Sequence, residues 1–212
     1  MRISHKYKFI FFSNPKTGSE SLREILNPYS DIKDCLHNEV SEENPFYSHI
    51  TPREVSRIFE DKGWDYDSYY KFICVRNPYT KLVSLYEMIY RRWPIKPSFS
   101  KWLKNTKTHG VGGGGKKHEK WRQYGAYSLE NMIFDDKSNI LVDSILKLED
   151  LSKELTITLN KIGINSDEIQ IVRKNTNKKK KRISEYYDDN LIELVNRRYE
   201  WEIRKFNYEF PG

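Results

Sequence analysis

Two hydrophobic periodicities alternate along this chain. Phe9 to Phe12 is a short, continuous apolar run, the pattern of a strand buried on both faces, and Tyr70 to Val75 reads as a second buried strand. Each is followed by an Asn-Pro pair, Asn14-Pro15 and Asn77-Pro78, which turns the chain. Between and after them the spacing becomes helical. Ser19 to Leu26 predicts a helix stopped before Pro28. Thr51-Pro52-Arg53-Glu54 combines a capping threonine, a proline at the first helical position and the glutamate of a capping box. That helix is expected to reach about Lys62, with Gly63 as its stop. Leu82, Leu85, Tyr86, Ile89 and Tyr90 form one core-facing stripe after Asn77-Pro78. Ile140 to Leu148 suggests a third strand or strand pair, and Leu151 to Ile162 a helix ending at Gly163. Leu191, Leu194, Val195 and Tyr199 line one face of a last helix, from Asp188 to about Arg204. Strands alternating with helices predict an α/β sandwich around a central, mainly parallel sheet, as a single domain over residues 1–212.

Two stretches break this rhythm. Gly112 to Gly115, flanked by Lys116 and Lys117, cannot hold a helix or strand. Arg173 to Arg182 is a basic run set between two helices. Each reads either as a solvated surface loop or as a working part, a mobile lid in the first case and an anion clamp in the second.

Composition narrows the field. The 212 residues include 15 Tyr, 10 Phe and 5 Trp, so a core is well supplied and disorder throughout is excluded. Lys and Arg total 37 against 30 Asp and Glu, a net charge of +7 that favours anionic partners. No apolar run is long enough to span a bilayer, and Ile10 to Phe12 is too short for the core of a signal peptide. A cytoplasmic protein is expected. With only Cys35 and Cys74, neither a disulfide framework nor a zinc site can be built, and Cys74, inside a strand pattern, reads as a buried thiol.

The chemistry concentrates where the two strands end. A strand-to-helix turn aims several backbone N–H groups and the positive end of a helix at one point, which is an anion site. Residues 14–21 add Lys16, Thr17, Ser19 and Ser21 to such a turn. The Gly-x4-Gly-Lys-Ser/Thr spacing of a Walker A loop is absent. In the second segment Arg76 ends the strand and Ser84 follows within the next helix, where the two can meet. A guanidinium and a hydroxyl together suit a doubly charged phosphate monoester.

The two segments resemble the nucleotide-binding segments of sulfotransferases that use 3'-phosphoadenosine 5'-phosphosulfate (PAPS). The chain is similar to the carbohydrate group related to heparan sulfate 2-O and chondroitin/dermatan sulfotransferases, including bacterial and viral-type members. Pro15-Lys16-Thr17-Gly18-Ser19-Glu20-Ser21-Leu22-Arg23 resembles the segment that holds the 5'-phosphosulfate. Val75-Arg76-Asn77-Pro78-Tyr79-Thr80-Lys81-Leu82-Val83-Ser84 resembles the segment that holds the 3'-phosphate. The likeness continues through Ser48-His49, Leu148-Glu149-Asp150-Leu151, Tyr186-Tyr187-Asp188-Asp189 and Phe206-Asn207-Tyr208-Glu209-Phe210. Ser19-Glu20 departs from the usual Gly-Thr, and Glu20 is expected to face outward. Lys81 departs from the usual Arg, keeping the charge but losing the bidentate fork. Asn207 replaces a usual Gly, at a place where Asn tolerates a left-handed turn.

The resemblance implies a P-loop-like sulfotransferase fold, PAPS as co-substrate, no metal, and transfer of a sulfuryl group to an acceptor hydroxyl, with a carbohydrate as the family expectation. It implies that Lys16 serves the leaving phosphate oxygen and that Pro15, Lys16, Thr17, Gly18, Ser19, Glu20 and Ser21 cradle the 5' end. Arg76 and Ser84 would hold the 3'-phosphate, and Lys178, with Arg173, Lys174 and Lys179 to Arg182 of the late basic run, would either close over the phosphates or hold an acidic glycan. An acceptor hydroxyl needs a base. His49, between the two segments and just before a helix start, is the candidate, since neutral imidazole suits that task near neutral pH. His109, His118 or a carboxylate are alternatives. Trp121, Gln123, Tyr124 and Tyr127 are candidates for the adenine or acceptor side. Two other functions compete: a P-loop-like nucleotide kinase, and a non-catalytic binder of polyanions such as nucleic acid or acidic polysaccharide.

Overall fold

Alternation along two central strands organises the protein. In the strand Phe9–Phe12, Phe9 and Phe11 enter one hydrophobic core while Ile10 and Phe12 enter another. In Tyr70–Val75, Phe72 and Cys74 join the first core, and Ile73 and Val75 the second. All eight of these side chains are fully buried, and each large one contributes roughly 1.5–3 kcal/mol on burial. The computed structural model describes residues 1–108, 125–167, 169 and 181–212.

The described strands are β1 (Arg2–Ser4), β2 (Phe9–Phe12), β3 (Ile32–Lys33), β4 (Tyr70–Val75) and β5 (Ser144–Lys147), in the order β3-β1-β2-β4-β5. β2, β4 and β5 run parallel, with Phe12 opposite Ile73 and Cys74 opposite Leu146. β1 and β3 extend the sheet antiparallel, with Arg2 opposite both Phe11 and Lys33. The sheet is therefore mixed, parallel only in the half that carries the two motifs. Residues 5–8 connect β1 to β2 too tightly for anything but a hairpin, with Lys8 at φ 49°. The basic start of the chain gave no hint of this strand.

Helices cover both faces. α1 (Ser19–Leu26) packs Leu22 and Leu26 against the core formed by Phe9, Phe11 and Phe72. α2 (Pro52–Asp61) lays Val55 and Phe59 on the opposite face. α3 (Pro78–Tyr90) and α4 (Phe99–Asn105) form a third cluster, containing Leu82, Leu85, Tyr86, Phe99 and Leu103. α5 (Glu130–Ile133) joins α2 over its core, and α6 (Leu151–Lys161) joins α1 through Leu151, Leu155 and Leu159.

The expected last helix is two: α7 (Asp189–Arg198) and α8 (Glu200–Phe206), broken at Tyr199 with φ −124° and ψ 30°. Tyr199 is itself fully buried beside Leu191 and Val195. The break re-aims the second segment so that Glu202 is also buried and accepts from the Leu129 N–H. Asn207 caps α8 in the left-handed conformation, φ 50° and ψ 47°, as its residue type allows. Among the described residues no helix is long and apolar enough to cross a membrane.

Candidate active site

The first motif is a tight loop between β2 and α1. Lys16 and Gly18 both have positive φ, 64° and 79°, so the backbone coils around Thr17. The Thr17 side chain is fully buried, and its hydroxyl donates to the Asn14 carbonyl at 2.9 Å. That hydroxyl therefore shapes the loop, and the backbone is what Thr17 can offer an anion. Asn14 in turn donates from Nδ2 to the Cys74 carbonyl at 3.1 Å, tying the loop to the end of β4. Gly18 serves a close approach as well as a conformation: a Cβ there would lie 2.7 Å from Leu148 Cδ1. Gly18 has no side chain to cap α1, and the first helical bond runs from Leu22 N–H to the Gly18 carbonyl. The N–H groups of the first turn are thus presented at the loop, where helix polarity favours an anion. Pro15 and Ser19 are buried, Ser21 is half-buried, and Glu20 is exposed.

The second motif meets the first. Arg76 donates from Nη1 to the Lys16 carbonyl at 3.2 Å and from Nε to Thr80 Oγ1 at 2.8 Å. The Thr80 hydroxyl itself donates to the Asn77 carbonyl at 3.0 Å. Burial lowers the Arg76 pKa from its ordinary value, opposed by the charge of Glu149, and the guanidinium remains a cation. Asn77 caps α3 by accepting from Tyr79 N–H at 3.1 Å. The Asn77 N–H donates to Glu149 Oε1 at 2.8 Å, and the Tyr208 hydroxyl donates to Glu149 Oε2 at 3.1 Å. The short likenesses at Leu148-Glu149 and Tyr208 thus have structural work: one fits the Gly18 backbone, the others anchor the start of α3.

Arg76 meets Thr80 where the sequence suggested Ser84. The two hydroxyls are one helical turn apart, and Met88 is a turn further on, so Thr80, Ser84 and Met88 share one face of α3. Lys16 Nζ lies 3.3 Å from Met88 Sδ. The Arg76 and Lys16 ends of the site therefore stand over turns about 12 Å apart along α3, with half-buried Ser84 between them. The spacing 80-84-88 was available in the sequence, but a helical face acquires meaning only once Lys16 is seen beside it.

His49 joins the loop from the other side. It precedes α2, whose capping box is formed: Glu54 N–H donates to Thr51 Oγ1 at 3.3 Å and Thr51 N–H to Glu54 Oε2 at 3.0 Å. The His49 backbone has φ 66°, and its Nδ1 lies 2.6 Å from the Ser13 carbonyl, one residue before Asn14. A carbonyl can only accept, so Nδ1 carries the proton and Nε2 the lone pair. Burial lowers the His49 pKa to about 4, leaving a neutral imidazole across the physiological range.

Other expected residues fall elsewhere. Lys81 is 1% exposed and donates from Nζ to the Tyr127 carbonyl at 2.8 Å. Burial lowers its pKa while the equally buried Glu202 raises it, so this lysine belongs to the packing of α3 against α8. Tyr127 is half-buried and meets Lys81 through its backbone. Cys74 is a buried free thiol with its pKa pushed up by burial, and Cys35 is free. Lys178, with Arg173, Lys174, His109, Gly112 to Gly115, His118, Trp121, Gln123 and Tyr124, lies outside the described residues. Among the described residues no group of three or more His, Cys, Asp and Glu side chains is placed to hold a metal ion.

Carbohydrate sulfotransferase 10 of Xenopus laevis is 26% identical over 107 residues, covering 49% of this chain and 28% of that protein. The match thus spans little more than a quarter of the relative. Among solved structures, mouse sulfotransferase SULT7A1 complexed with PAP aligns over 92% of this chain and 86% of its own, at 13% identity and a TM-score of 0.46. The model of the sulfotransferase family matches residues 1–209, which takes in both motifs, His49 and the anchoring Glu149 and Tyr208, and the chain belongs to that family.

Proposed function

We propose that residues 1–212 act as one sulfotransferase domain that moves the sulfuryl group of PAPS to an acceptor hydroxyl, releasing 3',5'-ADP. The observation that carries this reading is the convergence of both motifs on one face of α3, with Arg76 at Thr80 and Lys16 at Met88. One extended nucleotide bearing a phosphate at each end matches two cations held apart in this way. The loop amides and the first turn of α1 hold the 5'-phosphate, while Arg76 with Ser84 holds the 3'-phosphate.

In the reaction the acceptor oxygen bonds to sulfur as the bond from sulfur to the 5'-phosphate oxygen breaks. His49 Nε2 takes the hydroxyl proton, and Lys16 stabilises the charge left on the phosphate. Little covalent chemistry falls to the protein, so placement and electrostatics supply the acceleration. A sugar hydroxyl is the acceptor best supported by the likeness to a carbohydrate sulfotransferase. The test is transfer of labelled sulfate from PAPS. Lys16→Ala is expected to lose about 10²–10³ in turnover while 3',5'-ADP affinity stays within a few-fold. Equal turnover in the variant and the parent would remove Lys16 from the chemistry.

A further inference from the structure

One carboxylate gathers four donors beside the first motif. The Asp34 side chain is 3% exposed and faces the Met1 ammonium at 2.9 Å, Arg2 Nη1, Arg23 Nη1 at 2.7 Å and the Ser48 hydroxyl. Burial pushes the Asp34 pKa up, but the Met1 ammonium, the Ser48 hydrogen bond and the Arg23 charge outweigh it and hold the pKa well below the ordinary carboxylate value. Asp34 is thus a fixed anion, and it joins three separate parts of the fold. Met1 and Arg2 stand at the start of β1, Arg23 lies on α1, and Ser48 directly precedes His49. Arg23 is one helical turn beyond Ser19, on the helix whose first turn forms the anion loop.

The Ser48 side chain has both of its roles assigned. Arg23 Nη1 also donates to Ser48 Oγ at 3.1 Å, so the hydroxyl accepts from the guanidinium and gives its own proton to Asp34. The Ser48 N–H donates to the Cys35 carbonyl at 3.3 Å, next to Asp34 in the chain, and the Ile50 N–H donates to the Tyr47 carbonyl at 3.3 Å. His49 is therefore held from both sides. Its φ of 66° lies in the left-handed region, where a non-glycine residue persists only when its surroundings over-determine it. From that backbone the imidazole reaches the Ser13 carbonyl, 2.6 Å from Nδ1. The cluster is also electrostatically close: after burial and the Ser13 carbonyl, the charges of the Met1 ammonium, Arg23 and Asp34 all act on the ring.

Resting on the reading of His49 as the base of sulfuryl transfer, we propose that Asp34, acting through Ser48 and Arg23, is the positioning residue that fixes His49 Nε2 relative to the anion loop. Asp34→Asn strips the counter-charge from three cations and tests stability before anything else. Ser48→Ala removes only the arm towards His49, and Ser48→Thr restores its hydroxyl. The experiment compares the parent, Ser48→Ala, Ser48→Thr and His49→Asn in two readouts. The first is transfer of labelled sulfate from PAPS to a mixture of hexose and uronate oligosaccharides, with calorimetric binding of 3',5'-ADP alongside. The second is the His49 tautomer in long-range proton–nitrogen NMR spectra, its signals assigned by their absence from His49→Asn. The parent should show the Nδ1–H tautomer alone. Ser48→Ala is expected to show mixed tautomers and to lose about 10–10²-fold in kcat, with KM for PAPS and 3',5'-ADP affinity within about twofold of the parent. Ser48→Thr should recover both kcat and the single tautomer, which a role confined to stability would not produce. An unchanged tautomer and kcat in Ser48→Ala, a loss that Ser48→Thr does not restore, or a parallel loss of 3',5'-ADP affinity would overturn the proposal. Full turnover in His49→Asn would instead remove His49 as the base, and there, or where the parent transfers no sulfate, the tautomer alone decides whether Asp34 and Ser48 position the ring.

Discussion

The Arg76 guanidinium donates to the backbone carbonyl of Lys16 at 3.2 Å, so the side chain proposed to read the 3'-phosphate also holds the loop proposed to carry the 5' end. Its Nε is simultaneously engaged by Thr80 at 2.8 Å. The two halves of the site are mechanically joined through one planar group.

Arg76 should therefore tolerate neither truncation nor exchange. A lysine donates from a single nitrogen and cannot reproduce donations made from Nε and Nη1, two nitrogens fixed apart in one plane. Both Arg76→Ala and Arg76→Lys are expected to weaken 3',5'-ADP binding by about 10²-fold, consistent with losing a charge-assisted pair of hydrogen bonds. Titration calorimetry reads this directly. Full affinity in Arg76→Lys would show that charge alone suffices and that the link to Lys16 is incidental.

His49 gives a pH signature of known sign. Its pKa falls from 6.5 to about 4 on folding because of burial, so the unfolded chain binds the proton more readily. Its contribution to stability is complete above pH 6.5, is lost as pH falls from 6.5 towards 4, and changes no further below that. The full loss is up to about 3 kcal/mol. Urea melts at a series of pH values should show this slope in the parent and not in His49→Asn. The same imidazole stays neutral down to about pH 4, so its titration should leave turnover flat from pH 8 to 6. His49→Asn, which can still donate to Ser13, is expected to lower turnover by about 10²–10⁴. A sharp fall in parent activity near pH 6.5 would mean that His49 is not the base, or that it is solvated.

The Lys81 charge lies within the second motif, yet the structure buries it away from Arg76, against the Tyr127 carbonyl and near Glu202. Removing one member of a buried charged pair leaves the other uncompensated. Lys81→Met is expected to cost roughly 3 kcal/mol in a denaturant melt, recovered in large part by adding Glu202→Gln. In the double variant 3',5'-ADP affinity should equal that of the parent. A selective loss of nucleotide binding with unchanged stability would instead assign Lys81 to the cofactor.

What could be read from the sequence followed local signals. Phe9–Phe12, Ser19–Leu26 and Tyr70–Val75 coincide with their elements because continuous apolar runs and strong stops are local. The capping box at Thr51 and the left-handed Asn207 were likewise visible in short stretches. What escaped depends on distant partners. β1 is three residues long and exists because β2 and β3 flank it. The break at Tyr199 answers to burial of Tyr199 and Glu202 in surroundings no helical period encodes. In the site, Lys16, Gly18 and Arg76 stood out by residue type. Met88 and Glu149 did not, since each matters through a contact with a segment far along the chain, and Thr80, four residues from its partner Arg76, was passed over for Ser84.

The central claim is that the two segments form one site for a nucleotide phosphorylated at both ends. Calorimetric titration with 3',5'-ADP and, in parallel, 5'-ADP, both without metal, tests it most directly. Micromolar binding of 3',5'-ADP and a loss of at least about 10²-fold without the 3'-phosphate is the expected result, given the charge-assisted contacts Arg76 would supply. Equal affinity for the two nucleotides, or none for either, would contradict the claim and favour a nucleotide kinase or a polyanion binder built on the same fold.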